Sequence, residues 1–90
     1  MIELAPISIE SAKQYFVEHS AYRGDFTAAI AAVESPASHY QIHGVVAFRF
    51  DGDEFAKCHI STDGNAQIGS LLYGAMVRAA MALGYKTLTL

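Results

Sequence analysis

One cysteine and two prolines stand among the 90 residues. A lone Cys58 excludes both an internal disulfide and a cysteine-rich zinc cluster, since each needs further thiols. No run of lysine or arginine occurs and the net charge is −3, so the broad electrostatic grip that nucleic acid demands is missing. No window approaches the roughly 18 uninterrupted apolar residues of a membrane helix. The opening "MIELAPISIE" has an acid at position 3 and no basic stretch ahead of an apolar one, which is not the pattern of a signal peptide. Together these absences lead us to expect a cytoplasmic protein that partners neither nucleic acid nor membrane. Internal repeats and low-complexity segments are also missing.

What is present is apolar: 52% of residues are hydrophobic and 17% charged, the composition of a folded chain. Ninety residues suffice for one domain. A chain of this size buries only about 60% of its unfolded surface, so its core is thin and association with a second copy is expected to help.

"IEL" (2–4) has strand character, and Pro6 is expected to end it. Ser8 fits an N-cap, with Glu10 complementing the helix dipole in the first turn. Ile9, Ala12, Phe16 and His19 follow near helical spacing, which predicts a helix over 9–19. "SAYRGD" (20–25) is a loop carrying Tyr22 and Arg23. "FTAAIAAVE" (26–34) is ambiguous, its alanines favouring helix and its Phe, Thr, Ile and Val favouring strand. Strand is the better reading, because a helix there would strand the following hairpin as a two-stranded ribbon, marginal in water. "SPASH" (35–39) is a connector. The hairpin itself runs over 41–61: "QIHGVVAFRF" (41–50), an Asp-Gly turn at 51–54, and "FAKCHIS" (55–61). Simple alternation in its second strand would put Ala56, Cys58 and Ile60 on one face and Phe55, Lys57 and His59 on the other. Ile68, Leu71, Leu72, Ala75, Met76, Ala79 and Leu83 form a wide stripe on a helix at 67–83, closed by Gly84. "YKTLTL" (85–90) reads as a final strand.

The passage "STDGNAQIGSLLYGAMVRAAMALGYKTLTL" (61–90) therefore runs strand, glycine loop, helix, strand. A helix start offers unpaired N–H groups and partial positive charge to an anion, and Gly64 and Gly69 keep side chains out of the way. The alternative is an ordinary helix start capped by Asn65 or Asp63. Residues 44–90, above all "IGSLL" and the "LGY" exit, resemble the central part of the GNAT superfamily of acyl-CoA-dependent N-acyltransferases. The "TDG" turn is similar to small members on phages and mobile elements. In that superfamily a meander delivers its last strand to a Q/R-x-x-G-x-G/A loop whose helix start holds the CoA pyrophosphate. Here Gly69 aligns with the last motif glycine, Gln67 stands at the middle one and Gly64 at the leading Gln/Arg.

The resemblance implies an α+β fold, a mixed and mostly antiparallel sheet with two helices. It implies a single domain over 1–90, truncated after the fifth strand and so lacking the family's later helix and strands, one of which carries its usual proton-donating tyrosine. It further implies acetyl-CoA or CoA as a substrate, none of it tightly held, with pantetheine beside Ile60 and Ser61. The pyrophosphate would lie against Gly64, Asn65, Gln67, Ile68, Gly69 and Ser70. His59, whose ordinary pKa is near neutrality, is the candidate general base for an amine acceptor; a half-exposed packing role is the plainer alternative. Tyr73 and Tyr85 are candidate proton donors or ring contacts, with packing the plainer reading. Cys58 is a core thiol, and Tyr22 with Arg23 a candidate contact for the acceptor, with a solvated loop the simpler alternative. His39 and His43 have i, i+4 spacing, but in a loop and a strand this makes no metal pair. The expected activity is N-acetyl transfer by a homodimer. A non-catalytic remnant acting through protein contacts is the competing expectation, and a gene fragment without function of its own a third.

Overall fold

A computed structural model describes residues 2–34 and 41–86. The elements run β1 (Ile2–Ile7), α1 (Ile9–His19), β2 (Ala28–Glu34), β3 (Gln41–Asp51), β4 (Glu54–Thr62) and α2 (Ala66–Ala82). The four strands form one sheet in the order β1-β2-β3-β4, every neighbouring pair antiparallel. An α+β domain with two helices on an antiparallel sheet is thus observed. The expected connector at 35–39 lies outside the described residues. So do residues 87–90 of the expected last strand, while Tyr85 and Lys86 belong to no strand.

Local chemistry explains most boundaries. Ser8 caps α1 by accepting the Ser11 N–H at 3.0 Å, and Gly52 takes φ +55° in the tight turn between β3 and β4. The end of α2 is a complete Schellman motif. Gly84, at φ +89°, donates to the Met81 carbonyl, and Tyr85 donates to that of Ala80.

β2 shows why alanine is at home in this sheet. Ala29, Ala31 and Val33 join Ala12, Tyr15, Phe16 and Phe26 in a core on the α1 side. Ala28, Ile30 and Ala32 meet Val46, Phe48, Phe55, Ile68, Leu72 and Met76 on the α2 side. The helices therefore cover opposite faces, and small side chains let both approach. Pro6 does not end β1, contrary to the sequence expectation. The strand continues to Ile7, with Pro6 opposite Ile30, because an outer strand tolerates a missing donor.

Two register shifts break the alternation. Ala47 pairs with His59 and Phe48 with Lys57, leaving Cys58 as an extra residue on β4. Ala32 pairs with Gly44 and Val33 with Ile42, leaving His43 extra on β3. The expected faces of β4 need correcting accordingly. Phe55 and Ile60 share the α2-side core, whereas Cys58 and the ring of His59 both pack on the α1 side. A bulge re-aims side chains in this way.

Gly44 and Gly69 make opposite demands. A methyl on Gly44 would lie 2.8 Å from Ile68 Cγ2, 2.9 Å from Leu72 Cδ1 and 3.0 Å from the Ser61 carbonyl. On Gly69 it would meet only Thr62 Cγ2, at 3.9 Å. Gly44→Ala is expected to destabilise by about 1–3 kcal/mol through overpacking. Gly69→Ala is expected to stabilise by about 0.5–1 kcal/mol through helix propensity. Urea denaturation of the two variants checks both signs.

Candidate functional site

The β4 bulge aims His59 at the C-terminal end of α1. Its Nε2 lies 2.8 Å from Ser20 Oγ, Tyr22 stacks on its ring at 4.7 Å with an interplanar angle of 4°, and Phe16 meets it edge-on at 5.2 Å. Ser20 Oγ already accepts the Tyr22 N–H at 3.1 Å, so its own proton is available to His59. Burial first, and then the Lys57 charge, hold the imidazole below its ordinary pKa. It is therefore neutral near pH 7, and in the tautomer in which Ser20 donates, Nε2 accepts and Nδ1 carries the proton.

Burial, followed by the neighbouring Cys58 thiol, pushes the Tyr22 hydroxyl upward and keeps it protonated. Cys58 is half-buried, its thiol directed at the Asp25 carbonyl at 3.8 Å. Arg23 is committed elsewhere: Nη1 donates to the carbonyls of Tyr22 at 2.8 Å and Ser20 at 3.0 Å, closing the end of α1.

At the other end of β4, Gly64 (φ +106°) turns the chain into α2. Asn65 is the N-cap, its side chain accepting the Gln67 N–H at 2.9 Å, and the Ile68 N–H is bonded to the Asn65 carbonyl at 3.1 Å. Of the residues expected to hold a pyrophosphate, then, Asn65, Gln67 and Ile68 are joined to one another, and the Ile68 side chain is buried. Gln67 and Ser70 line a groove of about 390 Å³ on the outer face of α2 that continues past Gly74 to Arg78. The Arg78 guanidinium folds back over Gly74 and has no ion-pair partner among the described residues. Ser61 is buried and Ile60 packs into the α2-side core. Tyr73 is exposed on α2, while Tyr85 lies against Phe55.

A third group stands at the entry to α2. His43, the extra residue of the β3 bulge, places Nδ1 2.7 Å from Asp63 Oδ2 and Nε2 3.1 Å from Glu34 Oε1. Its side chain is 16% exposed. The hydrogen bonds to Asp63 and then Glu34 raise its pKa above the ordinary value, and the same bond to His43 lowers that of Asp63. His39 lies outside the described residues. Among the described residues no group of three His, Cys, Asp or Glu side chains is arranged to hold a metal ion, nor is any helix long and apolar enough to cross a membrane.

Sequence reasoning singled out His59 and the 64–70 loop but missed Ser20, Glu34 and the joint role of His43 and Asp63. Comparison with protein-family models, curated proteins and solved structures finds no match to this chain. The likeness to the GNAT superfamily therefore rests on the residues quoted above.

The two histidines pull stability in opposite directions with pH. His43, raised on folding, contributes fully below the ordinary value of about 6.5, and this contribution fades as pH climbs through its folded pKa. His59, lowered on folding, costs stability once pH falls below about 6.5 toward its folded pKa. The histidine contribution to Tm is expected to peak near pH 6.5. His43→Gln should flatten the alkaline limb and leave the acidic one, as measured by thermal melts from pH 5 to 9.

Proposed function

We propose that this chain binds acyl-CoA and transfers its acetyl group to an amine, as a GNAT-like N-acetyltransferase. One observation carries the reading. A neutral histidine, bonded to a hydroxyl and stacked on a protonated tyrosine, sits at a bulge of the strand that leads through a glycine turn into α2.

In this scheme the diphosphate lies along the start of α2 and the groove toward Arg78, drawn by the helix dipole and the unpaired guanidinium. A backbone N–H of β4 polarises the thioester carbonyl. The acceptor ammonium gives a proton to Ser20 Oγ as the Ser20 proton passes to His59 Nε2, and the freed amine attacks the carbonyl carbon. The C–N bond forms, the C–S bond breaks, the thiolate leaves with a proton from Tyr22, and the resulting tyrosinate takes the second proton of the nitrogen, which leaves a neutral amide. Positioned proton transfer of this kind is worth about 10²–10⁴-fold in rate. Ile60, Ser61, Gly64 and Gly69 belong to the scheme as backbone that a substrate can approach, and acetyl-CoA is turned over rather than retained.

A second reading has its own observation. The Gln67 and Ile68 amides are already bonded to Asn65, as in an ordinary capped helix, which favours a non-catalytic module working through protein contacts. Under either reading we propose a homodimer, since Val17, Met81 and Leu83 are more than half exposed. A monomer in sedimentation at micromolar concentration would overturn it.

Calorimetric titration of acetyl-CoA and CoA separates the readings. Micromolar binding (about −8 kcal/mol), lost in Gly69→Trp, is the expected result. A Cβ at 69 meets only Thr62 Cγ2, at the 3.9 Å of ordinary contact, and circular dichroism would verify that the variant folds. Thiol release against a panel of amines should then fall about 10²–10⁴-fold in His59→Ala. No binding up to about 1 mM, or about −4 kcal/mol, overturns the acyl-CoA reading.

A further inference from the structure

The Glu34–His43–Asp63 cluster carries a deduction that needs no ligand. Each imidazole nitrogen of His43 is within hydrogen-bond distance of a carboxylate oxygen, 2.7 Å to Asp63 and 3.1 Å to Glu34. Ionised carboxylates only accept hydrogen bonds, so both nitrogens must donate, and only the imidazolium has two N–H groups. Neutral imidazole would turn a lone pair toward one of the two carboxylates and lose that bond outright.

The cluster also occupies a mechanical junction. Glu34 ends β2, His43 is the unpaired residue of the β3 bulge, and Asp63 is the last residue before Gly64. Asp63 and His43 are hooked twice, because the Asp63 N–H also donates to the His43 carbonyl at 2.9 Å. The cluster thus ties the end of one hairpin and the entry to α2 to the same side chain.

The Tyr15 hydroxyl is buried without a hydrogen-bond partner. Burial, and then the charge of Asp63, push its pKa up, so it stays protonated across the physiological range. His19 stacks on the Tyr15 ring at 4.3 Å and lies 4.0 Å from Glu18, with Glu10 on the same surface. The titratable groups around His43 are therefore Glu34 from β2, Asp63 from the loop, and Tyr15 from α1, with His19, Glu18 and Glu10 behind it.

We infer that Glu34–His43–Asp63 is a proton-operated latch on the entry to α2: charged His43 pins Asp63 and the following turn to the sheet, and loss of its proton releases them. In the released state the carboxylate at the start of α2 is no longer neutralised by His43, so the local field there becomes more negative above the transition. The latch stands on this geometry and is independent of the acyl-transfer reading.

The test is an NMR titration of the wild-type protein from pH 5 to 9, following the His43 ring and the backbone amides of Gly64 and Asn65. The expected result is a His43 midpoint above the ordinary 6.5, with both amides shifting at that same midpoint. Glu34→Gln should move the midpoint down and the amide transition with it. Asp63→Asn should lower it further and uncouple the amides, and if that variant does not fold, the wild-type and Glu34→Gln titrations decide alone. A His43 midpoint at or below 6.5, or amides that do not follow it, overturns the latch. No ligand enters the experiment, so this failure is distinct from a failure to bind acetyl-CoA.

Discussion

Burial of β3 on both faces is the constraint from which the rest of this structure follows. Val45, Val46, Ala47 and Phe48 are all buried, alternately toward α1 and toward α2. A strand with no polar face has no solvent side, so each helix must sit on its own side of the sheet. β2, wedged between β1 and β3, must then be thin enough for both to close, which is what its alanines provide. Gly44 marks the limit of this approach, where the side chains of Ile68 and Leu72 come so near the β3 backbone that a methyl group would collide.

The bulges are the second consequence. A strand held on both faces has little freedom to tilt, so an extra residue is accommodated as a local kink instead. One kink presents His59 to Ser20 and Tyr22, and the other presents His43 to Glu34 and Asp63. Environment then separates two histidines of the same sheet: an aromatic cage and a nearby lysine keep one neutral, while two carboxylates keep the other charged. Pairs of like groups driven apart in pKa are a recurrent mark of functional chemistry.

Much of the fold was legible in the sequence because it is written locally. Ser8, Glu10 and the spacing of Ala12 and Phe16 specify α1, and Gly84 specifies where α2 stops. The choice of strand for 26–34 was legible only indirectly, through the need of the following hairpin for a third partner. The extent of β1 was not, because Pro6 reads as a breaker until its place at the outside of the sheet is known. The candidate site was legible where one residue type suggested its role, as with His59 and the glycines of the loop. It was illegible where the role is a pairing across the fold. Ser20 and His59 are 39 residues apart, and the bulges that aim both histidines depend on cross-strand register, which leaves no mark on either strand alone.

Pro6 has a consequence beyond the length of β1. An unpaired strand offers its neighbours in solution a row of backbone donors and acceptors, the template on which misassembled sheets grow. In an outer strand proline stands with its missing donor toward the open side, since facing inward it would delete a bond of the ladder. With Glu3 also on this strand, the β1 edge is interrupted in its donors and carries charge. A small apolar chain with little core to spare thereby keeps one of its borders unattractive to strands of other molecules.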